Sequence, residues 1–345
     1  MPYNASVKSA FLPRLVNGPF GDPGLHVGLR WQGTALQFDL GRLDRLPAAE
    51  VLKLTDVFVS HTHIDHFIGF DRLLRLFLAR EATLSLVGPP GIIGNVTGKL
   101  AAYTWNLVDG YPFVLNVHEV HTAHIESVRL RATTAFTVED QGRRPFAGVV
   151  YEDPAVTVQA AHLDHKIPCL GFAVMEKTHL NVRKDELDRL GIPAGPWLNE
   201  LKDAVRAQRP DETIITARGT AGGVLRQQEY RLRELAERLV VETPGQKLAY
   251  VVDVLFSKRN VARIVELACD ADLFYCESLF LDADRDQALR RHHLTARQAG
   301  TLARLAGVKR LEVFHFSPRY DGMADQIYAE AEAAFRGALP PDEPV

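Results

Sequence analysis

The sequence predicts a layered α/β protein that carries its chemistry at the ends of its strands. Three observations support this: short apolar runs of strand length alternate with amphipathic stretches, the alternation resumes in the second half, and one strand ends in His-Thr-His-Ile-Asp-His. In order, ALQFDL (35–40), DVFVS (56–60), LSLVG (84–88) and VLNVHEV (114–120) read as strands, with FDRLLRLFLAR (70–80) as an amphipathic helix between them. Further on, PCLGFAVM (168–175), KLAYVVDV (247–254), DLFYCES (272–278) and LEVFHFS (311–317) read as buried strands, separated by amphipathic stretches around 259–268 and 296–306. Between roughly 176 and 242 this style gives way to a polar, Arg- and Glu-rich segment punctuated by Pro and Gly, which reads as an inserted arm. The expectation is one elaborated domain over 1–336, the arm within it, and a frayed tail over 337–345.

Composition narrows the class. At 345 residues, with 46% hydrophobic and 24% charged residues, the chain is long enough for a large core and has the balance of a globular protein. It lacks an apolar run of about 18 residues, so no membrane span is expected, and the expected location is the cytoplasm. Cys169, Cys269 and Cys276 are odd in number and lack CxxC spacing, which excludes a disulfide framework and a zinc ribbon and reads as buried thiols. The net charge of −3 gives no global nucleic-acid footprint and leaves room for a local one.

His61, His63, Asp65 and His66 crowd three imidazoles and a carboxylate into six positions where an apolar strand meets a turn. A strand end presents His61 and His63 on one face while the turn sends Asp65 and His66 elsewhere, so two metal ions can share the segment. Imidazole and carboxylate suit zinc, and an open coordination position lowers the pKa of bound water to about 7. Further ligands are needed, and His165, Asp253 and His315 are ligand-type residues at the ends of other apolar strands. Two other features are set aside. In NVHEVHTAHIES (116–127), a continuous period of two puts His118 and His124 on one face and His121 on the other, so no three-His site is expected. The Gly-rich GPPGIIGNVTGK (88–99) lacks P-loop spacing and reads as a strand-to-helix turn.

The HTHIDH run matches the HxHxDH signature of metallo-β-lactamase-fold hydrolases. HKIPCLGF (165–172), YVVDV (250–254), ADLFYCESLF (271–280) and HLTARQAGTLARLAGVKRLEVFHFSPRY (293–320) resemble successive motifs of its ribonuclease Z-like branch. The resemblance implies a four-layer αββα sandwich with an inserted arm, and an endonuclease or related phosphodiesterase that uses hydroxide at a two-metal centre. It implies that His61, His63 and His165 hold one metal, that Asp65, His66 and His315 hold the second, and that Asp253 bridges them. The ions would be zinc, with manganese or iron as alternatives. It also implies that Asp65 takes a proton from the attacking water, that Glu277 and His293 protonate the leaving group, and that Ser317 and Arg319 grip phosphate. The implied partners are RNA, such as precursor tRNA, or a small phosphodiester, in a homodimer. LDRLGIPAGPWLNELK (187–202) resembles part of the tRNA-gripping exosite segment.

Three positions depart from the family pattern. The segment NGPFGDPGLHVGLRW (17–31) lacks the usual Gly-Thr opening, the GDT around the bridging Asp is Val252-Asp253-Val254, and Cys276 stands where a His precedes the acidic Glu. These changes leave two other functions open. One is a metallohydrolase of a thioester, lactone or sulfate ester; the other is a catalytically silent scaffold that keeps metal for folding.

Overall fold

Two mixed sheets form the frame of the protein. The computed structural model describes residues 10–30, 32–177, 179–221, 224–243, 245–340 and 342–344. It divides into two compact units, one spanning Met1–Met175 with Gln246–Val345 and the other Glu176–Gly245.

In the larger unit, eight strands from Phe11–Leu15 to Val138–Pro145 lie side by side in chain order. The central strands Thr34–Phe38, Leu54–Phe58, Thr83–Gly88 and Val114–Val120 run parallel, and the flanking pairs are antiparallel. The second sheet has six strands in the order Leu311–Phe314, Leu273–Glu277, Lys247–Val251, Pro168–Glu176, Val156–Asp164 and Val149–Glu152. The first three of these are parallel.

Burial on both faces explains why the strands read as apolar runs. Between the sheets, Phe38, Phe58, Phe172, Tyr250 and Phe314 pack ring against ring. Outside the first sheet, Phe70, Leu73 and Phe77 of the helix Phe70–Phe77 and Val96 and Leu100 of the helix Ile92–Ala101 cover Val57, Leu86 and Val117. Outside the second, Ile264, Leu302 and Ile327, from the helices Lys258–Ala268, Ala296–Leu305 and Ala324–Phe335, cover Val251, Phe274 and Val313. Three cores between four layers make the αββα sandwich. Local chemistry fixes the helix starts: Ser257 accepts the Asn260 N–H, and Thr295 forms a reciprocal capping box with Gln298. Gly300 is required for close helix packing, since a Cβ there would collide with the Ala331 carbonyl.

The Glu176–Gly245 unit has a core of its own around Trp197, Leu201, Ile215, Leu235 and Leu239. It contains the antiparallel pair His179–Val182 with Val240–Thr243, the hairpin Ile214–Ala221 with Val224–Arg231, and three helices.

Several local expectations are corrected. The run 116–127 is not one strand: it turns at Thr122–Ala123 between Val114–Val120 and His124–Arg131, which puts His121 on the same face as His124 and His118 on the other, against Ser127 Oγ. Cys169 and Cys276 are buried, but Cys269 is exposed. In the tail, Asp342 is buried and salt-bridged to Arg285 at 2.7 Å, while Arg297 donates to the Pro340 carbonyl. As expected, the 88–99 segment is a strand-to-helix turn, leading from Thr83–Gly88 into Ile92–Ala101. Among the described residues no helix is long and apolar enough to cross a membrane.

Candidate metal centre

The parallel register aligns the strand ends. Val251 pairs with Cys276 and Glu277 with Phe314, so Asp253, Glu277 and His315 leave three adjacent strands at the same edge. His61 follows the strand Leu54–Phe58 of the other sheet, and His165 follows Val156–Asp164. The short helix Ile64–Phe67 turns Asp65 and His66 back toward the same point. Asp39, Asp253 and His315 all have positive φ (56°, 50° and 61°), a conformation that Asp and His tolerate better than most residues and that concentrates at functional sites.

Asp253 is the hub. Its Oδ2 lies 3.3 Å from His66 Nε2, 3.4 Å from His165 Nε2 and 3.6 Å from His61 Nε2, and its Oδ1 lies 2.8 Å from His315 Nδ1. Asp65 Oδ2 is 3.5 Å from His66 Nε2 and 3.6 Å from His315 Nε2. His61 Nε2 and His63 Nδ1 are 2.9 Å apart. One ligand atom each from His61, His63, His165 and Asp253 lies within 4.8 Å of the others, and so do those of Asp65, His66 and His315.

A cation fits this donor set. His66 Nε2, His315 Nδ1 and Asp253 Oδ1 are buried with no hydrogen-bond partner, and such orphans are costly unless something satisfies them. The far nitrogens of three rings are tied off: His66 Nδ1–H donates to Asp39 Oδ2 (2.9 Å), His165 Nδ1–H donates to the His292 carbonyl (2.8 Å), and His61 Nδ1 is 3.1 Å from Ser60 Oγ. Each leaves its Nε2 lone pair directed inward, the usual way in which outer partners orient metal-ligating histidines. Burial holds His61 down to about 2, with the neighbouring His66 adding to the shift. Burial also opposes charge on His315 and His66, but Asp253 outweighs it, pushing His315 up to about 10 and His66 well above the usual range. Asp253 itself stays well below the carboxylate range despite burial, because His315 and His66 face it. Negative charge at the hub attracts protons or metal, and the two compete.

Asp39, missed in the sequence reading, organises this wall. Fully buried, it accepts Ser60 N–H through Oδ1 (2.6 Å) and Ser60 Oγ–H, His66 Nδ1–H and Tyr250 Oη–H through Oδ2 (2.8, 2.9 and 2.9 Å). A signal was present, an Asp within the apolar run ALQFDL, directly after the strand Thr34–Phe38.

The remaining predicted residues divide. Glu277 and His293 come together at the centre: His293 Nδ1–H donates to Glu277 Oε2 at 2.9 Å and lies 3.7 Å from Asp253 Oδ1, while Glu277 Oε1 accepts the Val254 N–H. Burial lowers the His293 pKa, but Glu277 and Asp253 reverse this and leave it above the ordinary value. Ser317 is buried just past His315, whereas Arg319 is turned to Asp284 (3.4 Å) over the Phe280 ring. The exposed His63 and the half-buried Asp65 form the open side of the cluster. Beside Asp65 is a cavity of 610 Å³ lined by Asp22, Asp44 and Asp71, by Arg42 and Arg72, which both pair with Asp44, and by the exposed Ile64 and Ile68.

The fold and the site together define a metallo-β-lactamase-fold protein with a His/Asp cluster suited to a dinuclear metal centre. Comparison with solved structures agrees on the fold: the metallo-β-lactamase fold protein YhfI from Bacillus subtilis superposes with a TM-score of 0.53 at 16% identity, covering 93% of this chain and 92% of that one. Human tRNase Z, short form, gives 0.50 at 21% identity, covering 90% and 93%. No family model matches the chain. It is 34% identical over 291 residues to ribonuclease Z of Deinococcus radiodurans, which covers 83% of each protein. The chain belongs to the ribonuclease Z-like family.

Proposed function

We propose that the protein is a metal-dependent phosphodiesterase that cleaves RNA at the 3′ end of precursor tRNA, with His61, His63 and His165 holding one ion, Asp65, His66 and His315 a second, and Asp253 between them. The observation that carries this reading is the Glu277–His293 pair, hydrogen-bonded at 2.9 Å and adjacent to the ligand cluster. When bound, two divalent ions supply an activated water and offset the charge that builds on the phosphate oxygens. The protein's own residues do the rest. Asp65, the partly exposed carboxylate of the cluster, accepts the proton of the attacking water. His293, held by Glu277, hands its proton to the departing alkoxide; a thioester, whose thiolate leaves readily, has less need of such a donor. Ser317 positions phosphate from behind His315, and Arg319 does so on release from Asp284.

The Glu176–Gly245 unit has the exosite-like sequence and acts as the tRNA-gripping arm of a homodimer. The Deinococcus radiodurans relative is a ribonuclease by name, which supports RNA as the substrate class. The test is turnover of the metal-loaded protein on precursor tRNA bearing a 3′ trailer, bis-p-nitrophenyl phosphate and a thioester. Cleavage of the tRNA at the trailer junction is expected. Robust turnover of the thioester alone would overturn the reading.

A further inference from the structure

The hairpin joining Val114–Val120 to His124–Arg131 carries ligand-type side chains that the centre above does not use. Glu119 pairs with Glu126 and Val120 with Ile125, and the His121 N–H donates to the His124 carbonyl at 2.8 Å. Directly opposed residues share a face and successive residues alternate. Glu119, His121, His124 and Glu126 therefore project from one face, while Val120 and Ile125 are fully buried on the other. The His121 and His124 rings lie face to face, with centroids 4.5 Å apart and planes inclined by 8°. One ligand atom from each of His121, His124 and Glu126 lies within 4.8 Å of the other two.

Protein groups alone leave one buried atom of this arrangement unsatisfied. Glu119 and Glu126 are like charges directly opposed across two strands, a destabilising pairing. His121 Nε2 is 3.1 Å from Glu119 Oε1, yet it is buried with no hydrogen bond of acceptable geometry. Glu119 Oε2 is fixed by the Ile93 N–H at 3.0 Å, which holds that carboxylate beside the His121 ring. His124 Nε2 is 3.4 Å from Glu126 Oε1, which also meets Arg143. An imidazole holds a metal in its own plane, so the two parallel rings grip one ion only when one of them turns about its Cβ–Cγ bond. A cation so held between them and the Glu126 carboxylate satisfies the orphaned nitrogen and offsets the opposed carboxylates. Two imidazoles and one carboxylate select the zinc class of divalent transition ions over calcium or magnesium, which prefer all-oxygen shells.

We propose that this hairpin is a second, peripheral metal site that binds a zinc-class divalent ion through His121, His124 and Glu126, with Glu119 orienting the His121 ring. The site is independent of the strand-end centre and of the substrate assigned to it. The test compares zinc bound by chelator-stripped, reloaded and dialysed full-length protein with that bound by His121→Ala/His124→Ala. Wild type should retain about one equivalent more than the double variant, whatever the occupancy of the other centre. His165→Ala should keep the hairpin equivalent. Glu126→Gln, which alters one partly exposed side chain, gives the same comparison if the double variant does not fold; it should weaken the hairpin ion about tenfold or more. Diffraction at the zinc absorption edge should show an anomalous peak among His121, His124 and Glu126. Equal zinc in wild type and the variants, or a peak at the strand-end centre with none at the hairpin, would overturn the proposal and leave two His–Glu ion pairs in its place.

Discussion

Replacing Asp39 with Asn should weaken metal binding without removing a ligand. Asparagine tolerates the positive φ of 56° at this position, so the backbone is not the variable. The change is electrical: the side chain loses its charge and presents an NH₂ where Oδ2 now accepts from Ser60 Oγ, His66 Nδ1 and Tyr250 Oη at 2.8–2.9 Å. The two hydroxyls can rotate and accept; the imidazole can adapt only by moving its proton to Nε2. That nitrogen is the buried, unpartnered one facing Asp253 and Asp65, so its lone pair is lost to the metal. Disturbing an outer partner of this kind typically costs 10- to 100-fold in affinity, or about 1.4–2.7 kcal/mol. Without metal, the loss of a charged acceptor serving three buried donors should also reduce stability by about 2–4 kcal/mol. Calorimetric zinc titration of stripped protein, with urea unfolding in excess chelator as the metal-free control, measures the two effects separately. If every zinc affinity of Asp39→Asn lay within about twofold of wild type, the claim that Asp39 sets the His66 tautomer would be refuted.

Other expectations follow from the same geometry. His293→Ala and Glu277→Gln should lower phosphodiester turnover by about 10²- to 10⁴-fold while metal content holds, and parallel rate and metal measurements would reveal a merely structural role by moving both together. His63→Ala should abolish most turnover, whereas His121→Ala should leave it near wild type; equal losses would show that the hairpin histidines serve the reaction. Chelation should lower the melting temperature and zinc should restore it, because His66, His315 and Asp253 otherwise keep buried polar atoms unpaired. Desolvation raises the Asp56 carboxyl from 3.8 to about 6, so the fold holds that proton more tightly than the unfolded chain and loses stability as pH rises from about 4 to about 6, by about 3 kcal/mol. Asp56→Asn should therefore unfold at higher urea than wild type at pH 7.5, with the gap closing near pH 4.

Much of the centre was legible because the signal was an anomaly: a ligand-type residue ending an apolar strand is out of character with the run before it. That marked His61, His165, Asp253 and His315, and parallel register then brought the last two together. Asp39 carries the same anomaly, but telling a ligand from the partner that orients a ligand requires knowing which ring nitrogen each faces. The His292 carbonyl that fixes His165 is main chain and leaves no trace in residue type. The hairpin at Thr122–Ala123 was missed for a related reason. Its connection has none of the Gly, Asn or Asp residues that usually mark a two-residue turn, so a period of two carried through it sorted the histidines onto the wrong faces.

The departures from the family pattern now have a physical account. Cys276 and Glu277 are consecutive on one strand and point to opposite faces: Cys276 is buried in the helix-side core while Glu277 reaches His293. A different residue at 276 therefore changes packing and spares the Glu277–His293 pair. Val252 is buried in the core between the sheets and Val254 in the helix-side core. The contact Val254 makes with the site is its backbone N–H to Glu277 Oε1, which nearly any side chain there would preserve. Of the replacements around the hub, none removes a member of the His/Asp cluster or of the Glu277–His293 pair. The altered 17–31 segment is different in kind, because part of it borders an open cleft: Asp22 lines the cavity beside Asp65. Changes confined to core-facing positions keep the His/Asp cluster intact, while a change at the cleft wall alters the surface beside it. Substrate preference should therefore respond to exchange of residues 17–31 for a relative's segment far more than to exchange of Cys276 or Val252.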